Sequence, residues 1–343
     1  MIRERIRDYR IMRSLGSGGM AETYAAVHEH SGRKAAIKIP LSVHGAYPEL
    51  DRRFLHEGRV LSQLSMHPGI VKIYDWGQLP AGRFFLIMEY VEGQSLADLI
   101  RAQQRVPILN SVQIIRQLAE SCDFAHRNQI VHRDLKPRNV ILLPDASALG
   151  GLRPKLIDFG IARSLVHQPV DGFQTDPRTL IGTPSYMSPE QCRGAADVGS
   201  PSDVYSLGIV YYEMLSGSPP FSSDERVATL SAHLFAEEPP IRKRNSAVPE
   251  RLAEFLHSML AKEPTERPTM AEVVAQMDAF LKPGVLPEPA AEQAMLEAQA
   301  LPEGAHPART SPLTPAKRAM TAIAFLLLLG LLALLLFEYL RKQ

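Results

Sequence analysis

His132-Arg133-Asp134-Leu135-Lys136-Pro137-Arg138-Asn139, followed downstream by Asp158-Phe159-Gly160, decides how this chain is read. An acid, a cation and an amide stand at fixed offsets in the first stretch, and a second acid opens the other. The pattern suits one hydroxyl held beside metal-bound phosphates. In phosphoryl transfer a protein makes few bonds of its own; it positions the nucleophile, clamps the metal and neutralises developing charge. Asp134 can accept the hydroxyl proton, Lys136 can sit against the transferring phosphate, and Asn139 and Asp158 can hold the metal ions. Either stretch alone arises by chance. Both in this order, with the motifs below, do not.

The chain has 343 residues and a formal net charge of +1. That length accommodates a large core, and the balanced charge argues against a broad polyanion-binding surface, so no nucleic-acid partner is expected. Cys122 and Cys192 are far apart and in no metal-ligand spacing. Free thiols in a reduced compartment are expected, without structural zinc. Met1 to Arg10 is charged and carries no apolar signal segment. Ala319 to Phe337 is an uncharged apolar run. As a helix it spans roughly 28 Å, about one hydrocarbon core. Lys317 and Arg318 flank it on one side, Arg341 and Lys342 on the other, so charge does not orient it. A single transmembrane helix over 317–340 is therefore expected, a tail anchor at the cytoplasmic membrane with the preceding domain in the cytoplasm.

From Tyr9 to Tyr90, short β-like runs surround one helical stretch. Ala35 to Ile39 and Phe84 to Met88 read as strands, and Phe54 to Leu64 carries helical spacing. After Ser95 helical patterns dominate, as in Val112 to Ala125 and Val204 to Leu215. The fold class expected is α+β, with a β-rich N-lobe at about 9–91 and a helical C-lobe at about 92–282. Residues 283–316 are rich in Pro, Ala and Glu and read as a semi-extended linker, with which a short helix around Ala290 to Ala300 is compatible.

The loop Leu15-Gly16-Ser17-Gly18-Gly19-Met20-Ala21 lets backbone amides approach phosphates closely. It lies shortly ahead of Ala35-Ala36-Ile37-Lys38. A lysine on a buried strand needs a partner, and Glu57 on the following helix can orient it toward phosphates. With Gly182-Thr183-Pro184, Ser188-Pro189-Glu190, Asp203 and Arg267 added, the ordered set is highly specific. Over roughly Tyr9 to Leu281 the chain resembles the eukaryotic-like bacterial Ser/Thr protein kinases of the receptor-kinase type.

The resemblance implies a bilobal protein-kinase fold with ATP and Mg2+, or Mn2+, in the cleft, and protein hydroxyls as acceptors. Leu15, Gly16, Ser17, Gly18, Gly19 and Lys38 would meet the nucleotide. Met88 would be the gatekeeper, the backbone of Glu89 and Val91 would meet adenine, and Thr23, Ala36 and Ile141 would sandwich it. Thr183 would bridge Asp134 and Lys136. Glu190 and Arg267 would form a buried pair at the end of the activation segment, and Asp203 would bond the catalytic-loop backbone. Lys136 is the Ser/Thr-type residue. Departures are few: Ala21 replaces the third glycine, Thr23 stands where valine is usual, and Ser188 replaces alanine. The connection Pro144 to Pro154 is long and reads as a solvent loop.

Arg133 before the catalytic acid implies control by phosphorylation of the activation loop, where Thr175 and Thr179 are candidates for autophosphorylation in trans by a homodimer. Arg138 stands where kinases that prefer basic substrates carry glutamate, so no basophilic preference is expected. A pseudokinase scaffold is the alternative from another class. Such chains usually lack at least one of Lys38, Asp134, Asn139 and Asp158, all present here. A small-molecule kinase is a further alternative, but the long activation segment argues against it.

Overall fold

The computed structural model describes residues 4–17, 21–40, 58–79, 82–159, 184–194 and 198–300. Strands β1 (Arg5–Ile6), β2 (Tyr9–Ser17), β3 (Ala21–His28), β4 (Lys34–Pro40), β5 (Ile73–Gln78) and β6 (Phe84–Glu89) form a six-stranded sheet in the order β1-β2-β3-β4-β6-β5. The reason is legible in β4. Ala35, Ile37 and Ile39 alternate with Ala36 and Lys38, as side chains on a strand must. The first set is fully buried with Tyr24, Ala26, Phe85 and Ile87 in a core on one face. The antiparallel register sets Gly16, Thr23, Lys38 and Leu86 in one row, and Ala25, Ala36, Met88 and Ile73 in another. Thr23, Ala36, Lys38 and Met88 therefore share the opposite face, which looks into the cleft. Of the helix expected at Phe54 to Leu64, residues 58–64 are described and helical.

The C-lobe is helical. Its elements are α1 (Leu96–Gln103), α2 (Ile108–Arg127), α3 (Pro189–Cys192), α4 (Ser200–Ser216), α5 (Arg226–Phe235), α6 (Ile241–Arg244), α7 (Glu250–Met259), α8 (Met270–Phe280) and α9 (Pro289–Ala300). A small sheet β7-β8-β9, from Gln94–Ser95, Val140–Pro144 and Leu152–Leu156, lies under the cleft. In α2, Ile108, Val112, Ile115, Leu118, Cys122 and Ala125 recur at helical spacing and are buried, so this stripe seats the helix against the core. Helix α4 is buried nearly all round, including Tyr205, Tyr211 and Tyr212, and is the axis of the lobe. It ends at Gly217, where φ is 85° and a Cβ would lie 2.1 Å from the Gln104 carbonyl oxygen, so only glycine fits. The connection between β8 and β9 is a surface turn, tied by Asp145, which accepts from Ser147 and Arg153.

Residues Met1–Leu296 form one compact unit and Glu297–Gln343 a second, of which only the end of α9 is described. The expected linker is thus not extended throughout. Pro289–Ala300 is helical, as its alanine content and a proline in the first turn favour. Among the described residues no helix is long and apolar enough to cross a membrane. The apolar run Ala319 to Phe337 lies outside them, as do Gly18, Gly19, Glu57, Thr175, Thr179 and Thr183.

Candidate active site

The loop between α2 and β8 carries the central acid. Its backbone is held from below by Asp203 on α4, which is 1% exposed. Asp203 Oδ2 accepts the His132 amide at 2.7 Å and Oδ1 accepts the Arg133 amide at 2.8 Å. His126 Nε2 is bonded to the same carboxylate at 2.8 Å. Arg133 has φ 63°, the left-handed region that a branched or long side chain rarely adopts. Charge-assisted bonds to a buried carboxylate stabilise that conformation. Pro137 then opens a tight turn, Pro137–Asn139, that brings Asn139 back over the acid.

Asp134 is the point of convergence. Lys136 Nζ donates to its Oδ2 at 2.7 Å, and Asn139 Nδ2 donates to its carbonyl at 2.8 Å and to Oδ2 at 3.1 Å. With the nitrogen of Asn139 turned to Asp134, its amide oxygen is the atom left to meet a cation. On the opposite wall Lys38 Nζ is paired with Asp158 Oδ1. Glu57, the expected partner of Lys38, lies outside the described residues, and the partner observed is Asp158. Asn139 and Asp158 offer hard oxygen donors, which suits Mg2+ completed by phosphate and water oxygens rather than an all-protein cage. Among the described residues no group of His, Cys, Asp and Glu forms such a cage. These donors fit the implied ion.

Phe159, after the second acid, is buried against His132 with ring centroids 4.5 Å apart. Burial pushes the His132 imidazole down, against the pull of Asp203 and Asp134. The ring is thus a neutral packing surface that joins the two catalytic stretches. Above it the cleft is apolar: Ala36, Val71 and Met88 form one cluster, with Ile73, Val91 and Ile157 packed on it. Met88 is 6% exposed, and Thr23 and Ile141 are half-buried. Leu15, Gly16 and Ser17 end β2 at the exposed lip.

Several contacts here had no signal in sequence. Glu89, expected for its backbone, also engages through its side chain. Its carboxylate accepts Lys155 Nζ at 2.8 and 2.6 Å and the Lys72 amide at 3.2 Å. The Lys155 side chain is 7% exposed, so a buried ion pair ties the segment joining the lobes to β9. Gln191 Nε2 donates to the Arg133 carbonyl at 2.9 Å, linking α3 to the catalytic loop. Ser188 and Gln191 also form a capping box at the start of α3. Tyr186 donates to Glu213 Oε2 at 2.7 Å, and burial pushes the Glu213 carboxyl above its usual range.

The Glu190–Arg267 pair is present as expected. Arg267 donates to both Glu190 oxygens at 2.8 and 2.9 Å, and to the carbonyls of Ala261, Pro201 and Lys262. Burial pushes the Glu190 carboxyl up, but the bonds from Arg267 and Ser202 outweigh it and hold it below its usual range.

The chain is 37% identical over 248 residues to the serine/threonine-protein kinase PrkC of Bacillus subtilis, covering 72% of this chain and 36% of that one. It is 34% identical over 237 residues to the serine/threonine-protein kinase PknA of Mycobacterium tuberculosis, covering 68% of this chain and 52% of that one. The chain therefore spans about a third to a half of the length of these curated relatives. Among solved structures, the Mycobacterium tuberculosis PknI kinase domain superposes with a TM-score of 0.62 at 26% identity, covering 81% of this chain and 98% of that one. Residues 9–277 match the protein kinase domain family. With the glycine loop, Lys38, Asp134, Asn139 and Asp158 in their expected order along a two-lobed fold, the chain belongs to that family.

Proposed function

We propose that this chain is an active Ser/Thr protein kinase that transfers the γ-phosphate of ATP to protein hydroxyls. The observation that carries the reading is the convergence of Lys136 and Asn139 on Asp134, facing the Lys38–Asp158 pair. Asp134 orients the acceptor hydroxyl and takes its proton. Lys136, bonded to that carboxylate, is placed to neutralise charge on the transferring group. Lys38 is placed for the α- and β-phosphates. Asn139 and Asp158 would hold Mg2+, which would supply charge neutralisation at the phosphates. Ala36, Met88 and Val91 supply the apolar walls that exclude water from the purine end. The names of PrkC and PknA support a Ser/Thr acceptor, as does Lys136. A scaffold that binds nucleotide without transfer is disfavoured, because no residue of the reacting set is replaced.

The finer reading has further parts. Autophosphorylation of Thr175 or Thr179 in trans, read by Arg133, controls activity. Arg138, exposed in the turn that follows the catalytic acid, disfavours basic residues just before the acceptor. Ala319 to Phe337 tethers the kinase to the membrane, where confinement raises the effective concentration for trans reactions. Mass spectrometry of the protein incubated with MgATP and a generic acceptor protein tests the set. Phosphoserine or phosphothreonine on the acceptor, with phosphate on Thr175 or Thr179, is expected. Unmodified acceptor from a protein that still binds nucleotide would refute transfer. A peptide array selecting Arg upstream would refute the role given to Arg138, and alkali extraction of the chain from membranes would refute the tether.

A further inference from the structure

Helix α2 begins without a cap of its own. Pro107 stands at its N-cap position and makes no side-chain capping bond, and the first turn holds no acidic residue. A helix start leaves backbone amides without partners inside the helix, and Ile108 is too deeply buried for water to supply one. The acceptor arrives from a segment 184 residues away: both carboxylate oxygens of Glu292, on α9, accept the Ile108 amide at 3.1 Å. Glu292 is 6% exposed, whereas Ala290, Ala291, Ala294 and Met295 beside it are exposed. Among Ala290, Ala291, Glu292, Ala294 and Met295, Glu292 is the buried one, so its carboxylate rather than an apolar stripe marks the contact. Upstream, Leu281 and Leu286 pack against the C-lobe core. These contacts begin past residue 277, where the match to the family ends. A buried carboxylate is costly unless compensated. The positive end of a 20-residue helix and the direct bond to its first amide provide that compensation.

We propose that the start of α2 is an interaction surface for the chain's own segment 281–292, with Glu292 as the carboxylate that plugs it. The dock fixes the place on the C-lobe from which the residues after 296 depart. That place is at the end of α2 opposite the catalytic loop, about 28 Å along the helix. The dock does not depend on phosphoryl transfer and is tested without it.

Hydrogen exchange on the full chain, read on the peptide 106–111, reports the dock directly. A hydrogen bond to a charged group corresponds to a protection factor of roughly tenfold or more. Glu292→Ala is expected to speed exchange in 106–111 by at least about tenfold while the α8 peptide 270–280 stays protected. Glu292→Gln, which keeps an acceptor of the same shape, is expected to fall between. A nitroxide placed by Met295→Cys in a Cys192→Ser background is expected to be restrained with Glu292 and mobile in Glu292→Ala. Unchanged exchange in 106–111 and an unchanged label would overturn the proposal. So would faster exchange spread equally over α8, which would show general loosening rather than release of a local dock.

Discussion

Asn at position 203 is the sharpest perturbation of the catalytic loop. Asp203 accepts two backbone amides at 2.7 and 2.8 Å and also holds His126. An asparagine keeps the shape but has one oxygen, so its amide nitrogen must face one of those donors. Losing one hydrogen bond to a buried charged group costs about 1.5–3 kcal/mol. That loss, at about 2–4 °C per kcal/mol for a domain of this size, should lower Tm by roughly 3–12 °C. Displacement of Asp134 by an ångström lowers turnover about a hundredfold. The residues that face the nucleotide lie on other elements, so KM for ATP should move little. Differential scanning fluorimetry and steady-state kinetics on Asp203→Asn read both. A variant that melts within about 2 °C of the wild type and turns over at its rate would refute the mechanism of loop support.

Other expectations follow from the same geometry. Arg267→Met leaves Glu190 buried without its partner, so a loss of about 3–5 kcal/mol is expected in chemical denaturation, and Glu190→Gln in the same background should recover part of it. Lys155→Met frees the Glu89 side chain and should raise KM for ATP several-fold with kcat nearly constant, with rescue by Lys155→Arg; equal effects on both constants would contradict the positioning role. His233 is packed against Tyr205 and Phe221, and burial, then the charge of Lys262, push its imidazole down to about 4. The unfolded chain takes up that proton near pH 6.5, before the folded chain does. Stability is therefore full above about pH 6.5 and declines toward pH 4 by of order 3 kcal/mol. His233→Gln should flatten that slope in urea titrations, and an unchanged slope would show that other groups carry it.

Much of this was legible because the residues concerned announce themselves by type and spacing. Alternation at Ala35 to Ile39 required a strand with Lys38 on the face opposite the apolar core, and the register put it beside the cleft. Asp203 and Arg267 were readable only through family resemblance, since an isolated acid or arginine has no local signature. The pairing of Lys155 with Glu89 was not readable. Glu89 closes an apolar strand and Lys155 stands in one of mixed charged and apolar residues, and an exposed rim is the ordinary outcome for both positions. Glu292 was missed for a related reason. A segment rich in Pro, Ala and Glu has too little apolar surface to fold against a core by itself, and Leu286 is the apolar residue of the described part that packs on it. Pro107 leaves a buried amide without a cap, and a distant carboxylate meets it.

The central claim is that Asp134 serves transfer rather than binding. Incorporation of label from [γ-32P]ATP into a generic protein and into the chain itself, beside Asp134→Asn with nucleotide binding measured in parallel, tests it most directly. The account predicts incorporation by the wild type, loss in Asp134→Asn, and equal nucleotide binding by both. Nucleotide binding by both with incorporation by neither, or equal incorporation by both, would contradict it.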